Sequence, residues 1–288
     1  MRLRMAGTLY LVATPIGNLE DISQRALRTL REVDVVACED TRHTRLLLNH
    51  FGIKTATISY HGHNERPRAE ELCRDLEAGK SVALVSDAGT PLISDPGFRI
   101  VQAAIERRIA VVPIPGASAL IAALTASGLP SDQFYFAGFL PPRANERRKR
   151  LEELHNVPAT IVFYEAPHRI AVTVRAAAEV LGNRQAVLAR ELTKLHEEFL
   201  RGGLDELAHR LSEQEKPRGE MVLIVSGASP ESASESRSSS RDLGERVNEL
   251  ESTGLDAKTA LKQAAREFGM KRAEAYRLLV AQKNRRSK

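Results

Sequence analysis

The sequence predicts an α/β protein with two α/β domains, the first with a parallel sheet and the second with a mixed sheet, and a small C-terminal helix-turn-helix domain. Near-continuous apolar segments alternate with helical patterns over residues 1–117, as in a parallel sheet covered on both faces. The alternation is less regular over 118–228, which predicts the mixed sheet. The serine-rich stretch 229–240 has almost nothing apolar to bury, so it predicts a flexible linker before the last domain, 241–288.

Apolar spacing predicts the elements of the first domain. Asp21 directly precedes the first helical pattern and is its predicted N-cap. Apolar runs rich in β-branched residues predict strands at 8–14, 33–38, 81–86 and 110–114. Helical spacing predicts helices at 22–32, 41–50, 67–78 and 96–107.

The same patterns continue in the second domain and the tail. In the second domain they predict strands at 134–139, 160–165, 186–192 and 220–227, with helices at 144–155, 168–181 and 204–213. The tail has three short helical patterns, with Asp256 as the predicted N-cap of the second and Gly269 as the turn before the third. Two short helices joined through a glycine turn are typical of a helix-turn-helix.

Composition excludes several classes of protein. Cys38 and Cys73 are too few for a disulfide framework, and neither has a second cysteine or a histidine at ligand spacing, so no metal site is expected. No run approaches the roughly 18 apolar residues that span a bilayer, and the N-terminus lacks a signal-peptide pattern. We therefore expect a cytoplasmic protein that does not associate with membranes.

The positive charge is confined to the tail. Residues 241–288 hold 12 Lys or Arg against 7 Asp or Glu, which equals the net charge of +5 of the whole chain. The preceding residues are therefore neutral in sum. A local basic excess favours a polyanionic partner.

The segment SDAGTPLISDPG at 86–97 carries the strongest local signal. It follows an apolar strand and places two prolines, two glycines and two aspartates within twelve residues. Glycine lets a backbone approach a ligand closely, and proline stiffens the path. A long rigid loop at the carboxyl end of a strand is seldom only a connector, so we expect a ligand site at its front half. Ser94 or Asp95 has the alternative interpretation of a cap for the next helix.

Three other segments also follow predicted strands, where α/β sheets bind ligands. The loop ATPIGN at 13–18 lacks the GxGxxG pattern of dinucleotide sites, and it is either a binding loop or a tight turn. PGASA at 115–119 leaves room for a ligand or for close packing. In FYEAPHR at 163–169, Tyr164 is suited to stacking on a purine.

Polar side chains gather on two further loops. The carboxylates of Glu39 and Asp40 are candidates for orienting a hydroxyl or accepting its proton, and Arg42 is a candidate contact of the substrate RNA. The alternative is a helix start in which Asp40 caps and Arg42 is solvated. His61 and Glu65 lie in SYHGHNE, which we interpret as a substrate-contacting loop or plain surface, since a metal site there has weak support.

Basic residues cluster in two places that are candidates for RNA contact. The run RANERRKR includes Arg147 and Arg148, which either neutralise phosphates or form a solvated helix face. In the tail, Lys271, Arg272 and Arg277 are predicted on an exposed helix face that suits a nucleic-acid backbone. The alternative there is a helical hairpin that docks on a protein.

The order of motifs resembles one family. GTLYLVATPIGNLEDIS, ACEDTR, LVSDAGTPLISDPG, PIPGASA, SGLP, FAGFLPPR, FYEAPHR, RELTK and RGEMVLIVSG follow one another between residues 7 and 227. This series is similar to the ribosomal RNA small subunit methyltransferase I family, a branch of the tetrapyrrole methylase-like class of S-adenosylmethionine enzymes. The tail also resembles the helix-turn-helix extension of some members.

The resemblance implies a cofactor cleft between the two α/β domains and a homodimer. It further implies 2′-O-methylation of a cytidine ribose in the decoding region of 16S rRNA, on the small ribosomal subunit. By position in the family's motifs, the implied contacts of S-adenosylmethionine are Pro15, Ile16, Asp87, Gly89, Thr90, Ser118, Ala119, Tyr164 and Met221.

The resemblance supplies no proton acceptor for the 2′-hydroxyl. Glu39, Asp40, His61 and Glu65 are candidates because their loops share one sheet edge, and our hypothesis is that Glu39 or Asp40 serves. Two other functions stay open on the residues: a methylase of a small tetrapyrrole or corrinoid, and a nucleic-acid-binding regulator without catalysis. The basic segments argue against the first, and the ligand loops over most of the chain argue against the second.

Overall fold

The computed structural model describes residues 6–213, 219–228, 243–268, 270 and 272–286. Two compact units are present, and both α/β sheets belong to the first of them. The division of that unit at 117/118 stays a prediction. The predicted linker at 229–240 lies outside the described residues.

The first sheet has five parallel strands in the order β3-β2-β4-β1-β5. The strands are β1 Thr8–Val12, β2 Val35–Cys38, β3 Ala56–Ser59, β4 Val82–Val85 and β5 Ala110–Ile114. The helices are α1 Gln24–Glu32, α2 Thr41–His50, α3 Glu65–Glu77, α4 Phe98–Glu106 and α5 Ala119–Ser127. Apolar clusters cover both faces of the sheet, and every residue of β4 is buried, which confirms the predicted parallel sheet.

One predicted helix start is wrong. Ser23, not Asp21, caps α1, and its hydroxyl accepts a hydrogen bond from the amide of Ala26. Asp21 lies in a short 3-10 turn just before that cap. The helix therefore begins two residues later than predicted.

The second sheet is mixed, as predicted, with the order β6-β7-β10-β8-β9. Only β6 and β7 run parallel, and the other pairs are antiparallel. The strands are β6 Phe134–Phe139, β7 Thr160–Glu165, β8 Gln185–Arg190, β9 Glu198–Gly203 and β10 Met221–Val225. The helices are α6 Ala144–Leu154, α7 Ile170–Leu181 and α8 Leu204–Glu213. Residues of α5 pack into an apolar cluster with this sheet.

In the described part of the second unit, three helices share an apolar core of their own. They are α9 at 243–252, α10 Ala257–Glu267 and α11 Arg272–Arg286. Asp256 caps α10 as predicted, because its carboxylate accepts from the amides of Lys258 and Thr259. The predicted turn residue Gly269 and the predicted RNA contact Lys271 lie outside the described residues. Among the described helices, none is long and apolar enough to cross a membrane.

Candidate functional site

The carboxyl ends of β1 and β4 are held together by a short backbone bridge. Thr14 and Gly89 exchange two hydrogen bonds, of 2.9 and 3.1 Å between nitrogen and oxygen. The Thr14 hydroxyl also donates to the carbonyl oxygen of Ser86, at 3.1 Å. The loops 13–18 and 86–97 therefore form one continuous surface, although they are far apart in sequence. We call this surface the floor of the site.

Gly89 has a conformation that few other residues adopt. Its φ is +84°, and a Cβ added there would lie 3.1 Å from Cγ2 of Ile16. The neighbouring Thr90 hydroxyl donates to the carbonyl oxygen of Ala117, at 3.1 Å, and so ties the loop to the start of α5.

The far end of the same loop is also anchored. A carboxylate oxygen of Glu65 accepts from the amides of Gly97 and Arg99, at 3.0 and 3.3 Å. Between the two anchors, Leu92 and Ser94 have φ of +70° and +66°, which is strained for residues with side chains. Surrounding contacts hold this strained path in place, as at many functional sites.

These loops border a cavity of about 480 Å³, within the ~300–1,000 Å³ range of small-ligand sites. Of the predicted cofactor contacts, the structure brings eight to this first cavity: Ile16, Asp87, Gly89, Thr90, Ser118, Ala119, Tyr164 and Met221. Pro15 borders an adjoining second cavity instead. Residues from both sheets thus meet around the first cavity, while their contact with a cofactor stays a prediction.

Tyr164 is fixed on one side of the first cavity. Its hydroxyl accepts from the Leu120 amide, at 3.2 Å, and its ring packs edge-on against Phe136 and Phe139. Burial raises the pKa of the phenol. The residue therefore presents a neutral aromatic surface that is already positioned for a ligand.

The neighbouring carboxylates Glu39 and Asp40 differ in role. Glu39 lines the first cavity. Asp40 caps α2 and forms an ion pair of 2.8 Å with Arg42, and hydrogen bonds from Arg42 lower its pKa to about 2. The cap at Asp40 confirms the helix-start interpretation, and the Arg42 side chain is 89% exposed. A carboxylate so occupied is a weak proton acceptor.

Sequence reasoning missed Asp95. It lines the first cavity with Glu39 and Asp87, and burial, followed by the charge of Glu39, raises its pKa to about 6. The capping interpretation is wrong for Ser94 and Asp95, because Gly97 is the N-cap residue of α4 and the amide of Arg99 in its first turn donates to Glu65 instead. The clue was available in the second aspartate of the SDAGTPLISDPG motif.

The predicted RNA contacts differ in burial and in pairing. Arg147 is only 6% exposed and donates to the carbonyl oxygen of Pro142, so its burial argues against a phosphate contact. Arg148 forms an exposed ion pair with Glu152, at 3.3 Å. In the second unit, Arg272 and Arg277 are exposed on α11.

The SYHGHNE loop at 59–65 does not border the first cavity. His61 is partly buried, and its Nδ1 has no hydrogen-bond partner among the described residues. The His61 and His63 rings are 5.9 Å apart. In the described part of the chain, no group of three His, Cys, Asp or Glu is placed to hold a metal ion.

Comparison with known proteins places this architecture. The family model described as Tetrapyrrole (Corrin/Porphyrin) Methylases matches residues 8–208. The uroporphyrin-III C-methyl transferase from Thermus thermophilus, in complex with S-adenyl homocysteine, has a TM-score of 0.53 and 22% identity over 76% of this chain and 97% of its own. The methyltransferase CobJ has a TM-score of 0.58 and 17% identity over 77% and 95%. At these identities the structural likeness concerns the fold alone, which is that of the tetrapyrrole methylase class.

Closer relatives narrow the class. Proteins named ribosomal RNA small subunit methyltransferase I are 49% identical in Halalkalibacterium halodurans, over 94% of each chain, and 49% in Mesorhizobium japonicum, over 96% of this chain and 92% of the relative. The Pseudomonas aeruginosa relative of that name is 54% identical over 77% and 79%. The chain therefore belongs to the ribosomal RNA small subunit methyltransferase I family, and it is a methyltransferase.

Proposed function

We propose that this protein uses S-adenosylmethionine to methylate the 2′-oxygen of a cytidine ribose in the decoding region of 16S rRNA. The observation that carries the proposal is the convergence of the predicted cofactor residues and Glu39 on one cavity, in a chain about half identical to proteins named for small-subunit rRNA methylation. The proposed partners are the small ribosomal subunit and a second copy of this chain. The proposed location is the cytoplasm.

The first cavity suits S-adenosylmethionine in shape and charge. The missing side chain at Gly89 leaves space that a Cβ would narrow against Ile16, and Tyr164 offers an aromatic face. Glu39, Asp87 and Asp95 supply negative charge. The cofactor would supply a methyl group on a positively charged sulfur, which such a lining attracts.

Glu39 is the better of the two proposed proton acceptors. A ribose hydroxyl is a poor nucleophile unless a base accepts its proton as the new bond to carbon forms. Glu39 faces the first cavity, whereas Asp40 is held by its helix cap and by Arg42. The remaining acceleration would come from alignment of the reacting atoms in a site that excludes water.

Isosteric variants test this assignment. Glu39→Gln should lower turnover by about 10²-fold or more, the usual contribution of a positioned base, and change affinity for S-adenosylmethionine by less than about 2-fold. Asp40→Asn, the matched neighbour, should lose far less. Single-turnover methylation of small ribosomal subunits and calorimetry separate the two effects. Unchanged turnover in both variants would exclude the pair as proton acceptors.

Mapping tests the acceptor directly. Small-subunit rRNA from cells without this protein should lack one 2′-O-methyl cytidine, and purified protein should restore it. Methylation of a nucleobase instead of a ribose, or of a tetrapyrrole instead of RNA, would contradict the proposal.

A further inference from the structure

A second cavity of about 370 Å³ adjoins the first. The two share four lining residues: Ile16, Asp87, Ala88 and Glu220. The shared residues come from the 13–18 and 86–97 loops and from the residue before β10, so the boundary between the cavities lies at the joined floor. Both volumes fall within the ~300–1,000 Å³ range of small-ligand sites. A molecule in one cavity would therefore border a molecule in the other.

One face of α2 lines the second cavity. His43, Leu46, Leu47 and His50 are spaced i, i+3, i+4 and i+7, which places them on a single side of the helix. Leu46 is 71% exposed, while Leu48 on the other side is buried in the core. This face combines an apolar surface with two imidazoles that exchange hydrogen bonds with polar ligands.

The two cavities differ in charge. Five acidic residues border the first: Glu39, Asp87, Asp95, Glu165 and Glu220. The Glu165 carboxylate is buried against Arg169, and Glu220 lies 3.5 Å from Lys194, so the negative charge at the cavity rests mainly on the other three. In the part of the chain that the structure describes, no Lys, Arg or His borders it. The second cavity is bordered by Lys194, His43 and His50 as well as by the shared Asp87 and Glu220. The first cavity thus favours a cation. In the second, Glu191 and Glu220 offset the charge of Lys194, and Lys194 and the two imidazoles supply hydrogen-bond donors to a polar ligand.

The Lys194 side chain crosses the 13–18 loop and forms ion pairs with two glutamates. A Cβ on Gly17 would collide with the Lys194 side chain, so the glycine allows this close crossing. The Lys194 ammonium is 2.9 Å from Glu191 and 3.5 Å from Glu220. Glu191 and Thr193 have positive φ, of +51° and +66°, so the RELTK segment adopts a strained path beside the cavity.

We propose that the second cavity holds the acceptor nucleotide, splayed out of the RNA, while the first holds the cofactor. This inference rests on the proposed function. The apolar face of α2 would pack on the base, and Lys194 and the imidazoles would contact the ribose-phosphate. The 2′-oxygen would then reach the shared boundary at Asp87, beside the segment that carries Glu39, since Asp87 accepts a hydrogen bond of 3.2 Å from the amide of Asp40.

Filling the second cavity tests the assignment. Leu46→Trp should raise the KM for unmethylated small ribosomal subunits by at least about tenfold, because the larger ring occupies the nucleotide's place. His50→Ala should raise it to a smaller extent. The affinity for S-adenosylmethionine, measured by calorimetry, should change by less than about 2-fold in both variants. This ratio corresponds to a difference in binding free energy of well under ~1.4 kcal/mol. Asn49→Ala is the matched control, since Asn49 is exposed on the same helix and borders neither cavity.

Each other outcome has a distinct meaning. Unchanged KM in Leu46→Trp and His50→Ala, with normal melting curves, would overturn the assignment. Equal loss of cofactor and subunit binding would also overturn it, because the second cavity would then belong to the cofactor. A wild-type protein that binds S-adenosylmethionine but methylates no subunit would overturn the proposed function, and this assignment with it.

Discussion

Asp95 is a half-buried carboxylate on the border of the first cavity. The strained loop that carries it is anchored at Gly89 and at Gly97. The charges of Glu39 and Asp87 face it across the first cavity, and Tyr164 lines the same cavity. Burial and these like charges favour the neutral form, so its pKa rises from 3.8 to about 6.

The raised pKa predicts a pH-dependent stability. The folded protein holds this proton more tightly than the unfolded chain, so the stability that Asp95 contributes falls as the pH rises from about 4 through about 6. Asp95→Asn should therefore raise the free energy of unfolding at pH 7.5, by at most about 2–3 kcal/mol, and have no such effect near pH 4. Denaturant unfolding at both pH values measures this difference. Asp132→Asn, at an exposed site, is the control, and identical profiles for the two variants would contradict the prediction.

At single residues, sequence reasoning was reliable where one chemical role was possible. Asp256 has only a capping role, and the structure confirms it. Asp40 had two interpretations, and its helix cap and its ion pair with Arg42 favour the structural one. The burial of Arg147 inside a basic run was equally hidden, because a charged helix face looks the same in sequence whether or not one arginine turns inward.

The loop 86–97 acts as an element in its own right, and its tightest position predicts a specific defect. Gly89→Ala should cost about 1–2 kcal/mol for the left-handed conformation and also push Ile16 toward the first cavity, so affinity for S-adenosylmethionine should fall about tenfold. Gly128→Ala is a matched control, with φ of +80° and nothing within 4 Å of its added Cβ. Thermal melting and calorimetry should show a stability loss in both and an affinity loss only in Gly89→Ala. Equal affinities would refute the steric argument.

The periodicity of apolar residues predicts most of the strands and helices, but it does not predict β3 and β9. β3 has four residues, none of them buried, so its apolar signal is too short and too weak. β9 includes a glutamate, an arginine and two glycines, and it lies at the edge of its sheet. Edge strands are held by backbone pairing on one side, and backbone pairing leaves little trace in side-chain patterns.

At the scale of the whole molecule, charge and chemistry are divided between the two units. The α/β unit carries the cavities, and the tail carries the basic excess. Removing residues 241–288 should weaken binding to small ribosomal subunits and flatten its dependence on salt, while S-adenosylmethionine still binds. Filter binding across a salt series and calorimetry make the comparison. Loss of cofactor binding in the truncated protein would refute this division of labour.

The fold class was predictable because it depends on alternation, which is a local property repeated many times. The strand order β3-β2-β4-β1-β5 was not predictable, because it depends on which strands pair with one another. Motif order pointed to the residues that the structure gathers around the first cavity. The second cavity had no such signal, because it forms only where α2 and the RELTK segment lie against the same floor.

The carboxylate border of the first cavity has a consequence for turnover under the proposed function. The reagent arrives with a positive charge on sulfur, and the spent thioether leaves with none. The attraction between that sulfur and Glu39, Asp87 and Asp95 therefore disappears at the moment of transfer. The same side chains thus hold the fresh molecule more tightly than the spent one, which favours release of the product.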